Sequence, residues 1–154
     1  MDSATHDKIL AILGGGTEMT IATVRPDGFP QATTVSYVHD DVTLYFGTAA
    51  DSQKARNIAL NDKVSLTVNL PYDRTEEILG LSMGARAARV TDPGEIAKVG
   101  QLMLKRFPEG ADFGPDEADA IAIFSVKPVV ISVLDYRNGI GHTEFVTIET
   151  PPQS

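Results

Sequence analysis

The chain has 154 residues, no cysteine, 42% hydrophobic and 22% charged residues, and a formal net charge of −8 at pH 7. This length suits a single domain over residues 1–154 with a real hydrophobic core, and the composition argues against disorder. The lack of cysteine excludes disulfides, thiolate zinc sites and cysteine nucleophiles, and the negative charge disfavours nucleic acid and anionic membranes as partners.

The N-terminal segment MDSATHDKIL lacks the basic region and long apolar run of a signal peptide. No apolar stretch approaches the roughly 20 residues that a membrane helix needs. We therefore expect a cytoplasmic protein.

The first third of the chain predicts one helix and three strands. Residues 3–13 form a short amphipathic helix that ends at three consecutive glycines. From Thr17 the pattern alternates, and the turn signal Arg25-Pro26-Asp27-Gly28 predicts a hairpin to a second strand over residues 31–38. A third strand over residues 42–47 follows the turn at residues 39–41, with Leu44 and Phe46 facing away from Tyr45.

The rest of the chain predicts two helices and four strands. Asp51 or Ser52 caps a helix that closes at Asn61-Asp62, and Asp92-Pro93 begins another whose apolar stripe is Ile96, Val99 and Met103. The strands are residues 64–70, residues 78–90 with bends at Gly80 and Gly84, residues 120–126 and residues 129–134, the last two separated by Lys127-Pro128. A loop rich in Gly, Pro and Asp is predicted over residues 108–117, and a frayed tail from Pro151. Hairpin-length connections favour an antiparallel barrel with helical excursions over a βαβ array.

Catalytic motifs are missing from the sequence. It has no Gly-x-Ser-x-Gly elbow, no His-Glu-x-x-His and no Walker loop, and its three histidines, His6, His39 and His142, are too scattered for a metal cluster. We therefore predict no protein-bound metal. Any chemistry is expected to come from a bound cofactor.

Cations and a hydroxyl cluster at the start of the second predicted helix. Ser52, Lys54 and Arg56 lie where a helix presents free N–H groups and a partial positive charge, which favours a phosphate. The alternative is that both cations are solvated surface residues paired with Asp51 or Asp62. The helix start alone leaves both interpretations open.

An ordered series of short motifs between Met19 and Val68 makes the sequence more specific. The motifs are Ala22-Thr23-Val24, Asp27-Gly28-Phe29-Pro30, Tyr45-Phe46-Gly47-Thr48, Ser52, Lys54, Asn57-Ile58 and Val64-Ser65-Leu66. In this order they resemble the pyridoxamine 5′-phosphate oxidase-like family of FMN-binding split β-barrels. GARAARVTDP and KPVVISVLDYRNGIGHT resemble the later strands of that family.

The resemblance implies a mainly β fold, a six- to seven-stranded antiparallel Greek-key split β-barrel with peripheral helices. It also implies a homodimer with FMN at the subunit interface and an oxidoreductase that acts on a small molecule. The implied cofactor-binding residues are Thr33, Thr34, Val35, Ser36, Tyr45 and Phe46 around the flavin ring, Thr48, Ser52 and Lys54 at the ribityl-phosphate, and Asn57, Arg86 and Arg89. Two choices stay open: whether Arg86 or Arg89 approaches from the partner subunit, and whether Asn57 instead serves helix packing.

The sequence also departs from the family. True pyridoxamine phosphate oxidases are longer and carry a basic C-terminal segment that binds substrate phosphate, which this chain lacks, so vitamin B6 oxidation is not expected. The alternatives are a reductase that uses a deazaflavin coenzyme, a non-catalytic flavin or haem carrier with His142 as the candidate haem ligand, and a barrel without a cofactor. Haem is the less favoured cofactor because a lone histidine beside a glycine-rich turn is more often structural.

Overall fold

The computed structural model describes residues 1–109 and 120–148. Within these residues the three α-helices are α1 (Ser3–Gly15), α2 (Gln53–Leu60) and α3 (Pro93–Arg106). The eight strands are β1 (Glu18–Val24), β2 (Pro30–Ser36), β3 (Val38–Asp40), β4 (Thr43–Ala49), β5 (Lys63–Asn69), β6 (Leu79–Arg89), β7 (Ile121–Asp135) and β8 (Thr143–Thr147). Most of the predicted loop over residues 108–117 and the whole predicted tail from Pro151 lie outside the described residues.

All eight strands belong to one antiparallel sheet. The strand order is β2-β1-β5-β6-β7-β4-β3, and β8 pairs with β7. Strands β2 and β3 lie at opposite ends of this order but are separated in sequence only by Tyr37, so this bent segment brings the two ends of the sheet together. The mainly β split-barrel prediction is confirmed, with eight strands in place of six to seven.

The main core is formed by side chains of the sheet together with those of two helices. Helix α1 contributes Ile9, Ile12 and Leu13, all fully buried, and α2 contributes Ala55 and Ile58. A second apolar cluster lies under α3, where Val99 packs with residues of β3 and β4. Of the predicted α3 stripe, Ile96 is instead largely exposed. None of the described helices is long and apolar enough to cross a membrane.

The predicted β1–β2 hairpin is confirmed at its turn. Gly28 has a φ of 87°, a left-handed conformation that glycine adopts without steric cost. The side chain of Asp27 accepts a hydrogen bond from the N–H of Phe29 at 3.1 Å, and Arg25 pairs with the same carboxylate. The turn therefore depends on the residues that the sequence placed there.

The predicted strand over residues 31–38 is interrupted at Tyr37. The side chain of Tyr37 is fully buried, and its hydroxyl donates to the carbonyl of Leu13 at 2.7 Å, which ties the bend to the end of α1. Burial raises the pKa of this phenol to about 12. A single tyrosine thus converts one predicted strand into β2 and β3.

The predicted break at Lys127-Pro128 is wrong, since β7 runs through it. The pairing of β6 with β7 shifts register between Gly84 and Ala85, so that Gly84 faces Val130 and Ala85 faces Pro128. Val129 is the extra residue of this bulge, and a bulge is one of the few places in a sheet where proline is tolerated. The predicted bend at Gly84 is confirmed, whereas Gly80 stays in regular register opposite Asn69 and Leu134.

Candidate functional site

The start of α2 presents hydrogen-bond donors at its first turn. Ser52 is the N-cap, and its hydroxyl oxygen accepts from the N–H of Ala55 at 3.1 Å and from the hydroxyl of Thr48 at 3.2 Å. The hydroxyl hydrogen of Ser52 and the N–H groups of Gln53 and Lys54, at the first two helical positions, have no intrahelical acceptor. The predicted capping role of Ser52 is confirmed, and the turn can donate to an external anion.

The two cations of this helix lie on different flanks. Lys54 and Arg56 are two positions apart, which separates their directions by about 200° around the helix axis. Burial lowers the pKa of Lys54, and no neighbouring carboxylate among the described residues offsets this effect. Arg56 is exposed and donates to the side chain of Gln53 at 3.0 Å. Lys54 is therefore a partly desolvated cation that an anionic ligand would stabilise.

Strand β2 divides the predicted ring-binding residues between two faces. Thr33 and Val35 face the interior together with Gln31, and Val35 packs against the main core. Thr34 and Ser36 face outward, and the hydroxyl of Thr34 lies 3.4 Å from that of Thr20. The hydroxyl oxygen of Thr33 is buried and has no hydrogen-bond partner among residues 1–109 and 120–148. Buried polar groups are normally hydrogen-bonded, so an unpaired one next to a candidate ligand site is informative.

The barrel is split between β2 and the second half of β4. Strand β2 pairs only with β1, and β3 pairs with β4 only as far as Tyr45. Residues 46–49 of β4 therefore pair with β7 on one edge and have no strand partner among the described residues on the other. The unpaired main-chain N–H and C=O groups along this gap can hydrogen-bond to the edge of a planar ligand.

Tyr45 and Phe46 lie on opposite faces of β4, as the alternation of the sequence predicts. Phe46 is fully buried and stacks on Phe124 with ring centroids 5.5 Å apart. The hydroxyl of Tyr45 donates to Glu95 of α3 at 3.2 Å, under the second core cluster. The structure thus places both side chains in packing within the chain, while Thr48 lies at the end of the gap beside Ser52.

Asn57 lies at the centre of a buried polar network. Its amide nitrogen donates to Thr23 at 3.0 Å and to Gln31 at 3.1 Å, and its oxygen accepts from Gln53 at 2.7 Å. These bonds join α2 to β1 and β2 and use both amide hydrogens of Asn57. The geometry supports the packing role that the sequence left open. Gln31 and Thr23 were missed because partners that lie 26 and 34 residues from Asn57 leave no local sequence signal.

The two candidate arginines of β6 differ in their surroundings. Arg86 lies beside both carboxylate oxygens of Asp62, each 3.1 Å from one guanidinium nitrogen. Arg89 is exposed, has no carboxylate partner among the described residues, and lines a surface pocket together with Arg56. Where either arginine lies relative to a partner subunit stays a prediction.

The three histidines all contact acceptors within the chain. His6 Nε2 lies 2.6 Å from the side chain of Asp41, His39 Nδ1 donates to the carbonyl of Asp41 at 2.9 Å, and His142 Nε2 lies 3.2 Å from Glu144. In the described part of the chain, no three His, Cys, Asp or Glu side chains are grouped so as to hold a metal ion.

Comparison with known proteins supports the family but not a specific activity. No curated protein sequence matches the chain. The haem-binding protein of Mycobacterium smegmatis has a similar structure, with a TM-score of 0.76 and 15% identity over 96% of this chain and 59% of that protein. The conserved hypothetical protein Rv2991 of Mycobacterium tuberculosis matches with a TM-score of 0.74 and 22% identity over 97% of this chain and 93% of that protein.

A haem-related protein from another organism is also similar. HutZ, the haem storage protein of Vibrio cholerae, matches with a TM-score of 0.67 and 21% identity over 79% of this chain and 88% of that protein. At these identities the similarities show the fold alone. The family model of pyridoxamine 5′-phosphate oxidase, in contrast, matches residues 5–135 of the sequence itself. Since this match includes every strand from β1 to β7, the chain belongs to the pyridoxamine 5′-phosphate oxidase family.

Proposed function

We propose that this protein binds FMN and is a flavin-dependent oxidoreductase that acts on a small molecule. The observation that carries the proposal is Lys54, a partly buried cation with no anion beside it in the described part of the chain, at a helix start that has free N–H donors. The unpaired hydroxyl of Thr33 supports it. Thr33 lies two residues from Gln31 on the same face of β2, and Gln31 accepts a hydrogen bond from Asn57 of α2. The residues present therefore fit a ligand with a phosphate and a planar polar ring.

Each group has a role that its surroundings define. Ser52 and the main chain of Gln53 and Lys54 would donate to the phosphate, and the Lys54 ammonium would neutralise it. Thr33 and the free edges of β2 and β4 would hydrogen-bond to the ring, while the core behind Phe46 keeps water from one side of the gap. When bound, FMN supplies hydride or electron transfer at its N5 atom.

We further propose that the protein is a homodimer with the flavin at the subunit interface, as expected for this family. The open edges of β2 and of residues 46–49 of β4 support this, since such an edge, unpaired within the described residues, is normally covered by another element. The alternatives of a deazaflavin coenzyme and of haem are distinguished by the same titrations. Each histidine contacts an acceptor through one ring nitrogen, which leaves the other nitrogen able to ligate haem, so the titration with haemin decides this alternative.

A titration with FMN and with riboflavin, which lacks the phosphate, tests the proposal. Wild-type protein should bind FMN with micromolar affinity or better and should quench its fluorescence. Lys54→Ala should weaken FMN binding by about 10- to 100-fold, the range of a lost charge-assisted contact. Its binding of riboflavin should hardly change, because only the phosphate contact is lost.

Arg56→Ala is the matched control, since it removes a cation from the same helix on the opposite flank. It should alter FMN binding less than threefold. Binding of haemin or of a deazaflavin coenzyme in preference to FMN, or equal losses for FMN and riboflavin in Lys54→Ala, would contradict the proposal. Anaerobic reduction of bound FMN by a nicotinamide donor would then distinguish an enzyme from a carrier.

A further inference from the structure

The surface pocket that Arg56 and Arg89 line is on the flank of α2 that faces away from Asn57. Its volume is about 240 Å³, room for about eight water molecules, and it opens to solvent between α2, the end of β6 and β7. The floor is apolar, and small side chains line much of it, among them Ala55, Ala59 and Ala87, together with Phe124.

Two guanidinium groups lie at this apolar floor. Arg56 comes from the second turn of α2 and Arg89 from the last residue of β6. Among the described residues no carboxylate lines the pocket, although the whole chain has a net charge of −8. Two positive charges without a counter-ion, in an acidic protein, create a local potential that attracts an anion.

Neither arginine is explained by the stability of its own element. Helix α2 has no acidic residue in its first turn, and a cation near the helix start is unfavourable for the helix dipole. Arg86 lies three residues before Arg89 on the same strand and differs from it, because the Arg86 guanidinium is paired with the carboxylate of Asp62. Within the described residues the guanidinium of Arg56 bonds only to the neutral Gln53 side chain, and an anion can replace that contact without loss of an ion pair.

We propose that this pocket is a second ligand site, for a small organic carboxylate with an apolar body. Guanidinium groups bind carboxylates through paired N–H donors, so Arg56 and Arg89 would hold the carboxylate. The alanines and Phe124 would contact the apolar part of the ligand. A purely inorganic anion would leave this apolar floor exposed to water. The site is separate from the proposed flavin site, because Lys54 and Asn57 point to other flanks of α2.

Benzoate is a suitable probe, since it has one carboxylate on a flat apolar ring. Titration of ¹⁵N-labelled protein, without added FMN, should shift the amide signals of α2 and of residues 87–89 in a saturable manner. Benzamide, which has the same shape but no charge, should bind at least tenfold more weakly. The absence of FMN makes the result independent of flavin binding.

Three substitutions locate the site. Arg89→Gln and Arg56→Gln should each weaken benzoate binding about tenfold, whereas Arg86→Gln, the matched control on the same strand, should change it less than twofold. Unchanged melting temperatures would show that the variants are folded. Benzoate shifts located elsewhere, equal binding of benzamide, or equal effects of the Arg86 and Arg89 substitutions would each overturn the proposal.

Discussion

Thr33 has a buried hydroxyl that makes no hydrogen bond within the described structure, and a ligand would give that hydroxyl a partner. Valine has nearly the same shape as threonine and favours strands. Thr33→Val should therefore leave the free energy of unfolding unchanged or raise it by up to about 1 kcal/mol, because an unsatisfied polar group is removed. If the hydroxyl contacts the flavin, the same variant should bind FMN about tenfold more weakly. Urea denaturation and an FMN titration measure the two effects.

Thr34→Val is the control for this prediction. Thr34 lies next to Thr33 but faces outward, and its hydroxyl makes only a long contact of 3.4 Å with Thr20. It should affect neither stability by more than about 0.5 kcal/mol nor FMN binding. Loss of stability in Thr33→Val with intact FMN binding would assign the Thr33 hydroxyl to folding instead.

A buried carboxylate at the end of β7 should make stability depend on pH. Asp135 is 1% exposed and bonds to Arg137 at 2.8 and 2.9 Å, and Lys8 of α1 lies 3.0 Å away. Hydrogen bonds from Arg137, with those from Lys8, hold the pKa of this carboxyl well below its ordinary value of 3.8. Because the folded pKa is the lower one, its stabilisation is complete above pH 4 to 5 and is lost as pH falls further.

Asp135→Asn tests this directly. The variant should lose about 2–4 kcal/mol of unfolding free energy at pH 7, since Arg137 and Lys8 lose their buried partner. The difference from wild type should shrink towards pH 3, because the unfolded wild-type chain then binds a proton at this carboxyl while the folded protein keeps it ionised. Urea denaturation at pH 7, 5 and 3 gives the comparison. A difference that stays constant over this range would show that the charge of Asp135 is not responsible.

At the scale of elements, the sequence predicted the features that depend on neighbouring residues, and it did not predict those that depend on residues far apart in the chain. The β1–β2 hairpin follows from Asp27-Gly28, and the alternation of β5 is reproduced by its burial. The continuity of β7 through Pro128 was hidden, because it depends on a bulge opposite Gly84 that lies more than 40 residues away. The short β8 was missed, since Thr143–Thr147 is an edge strand with little apolar alternation.

The candidate site shows the same division. Motif order placed Ser52 and Lys54 at the first turn of α2, and the structure adds that Lys54 is partly buried without an anion. Alternation along β4 correctly predicted that Tyr45 and Phe46 face opposite sides of the strand. The sequence could not predict that both sides are buried, because α3 covers the side that carries Tyr45.

Alanine substitutions at two glycines in different elements should change the stability of the protein in opposite directions. Gly100 lies within α3 with no atom within 4 Å of the position of an added Cβ. Gly100→Ala should therefore stabilise the protein by about 0.5–1 kcal/mol. At Gly80 a Cβ would lie 2.9 Å from the carbonyl oxygen of Val68, so Gly80→Ala should destabilise the β5–β6 pair by 1 kcal/mol or more. Thermal and urea unfolding measure both changes, and equal signs would contradict the placement of one of the two glycines.

At the scale of the whole molecule, the proposed dimer and the proposed flavin site make linked predictions. A ligand that binds only the folded protein stabilises it, by about 2.7 kcal/mol at 100 times its dissociation constant. If the site is shared between two copies, FMN should also shift the monomer–dimer equilibrium towards the dimer. The melting temperature should then rise with protein concentration, since unfolding of a dimer separates its chains.

Sedimentation velocity over a hundredfold range of protein concentration, with and without FMN, measures the association, and calorimetry at the same concentrations measures stability. We expect FMN to lower the dimer dissociation constant at least tenfold in the wild type. Lys54→Ala should reduce this effect without abolishing association in the absence of FMN, because Lys54 acts on the phosphate. An FMN-bound monomer whose melting temperature is independent of concentration would show that the split between β2 and β4 holds the flavin without a partner. The open edges of β2 and β4 would then be covered by the ligand alone.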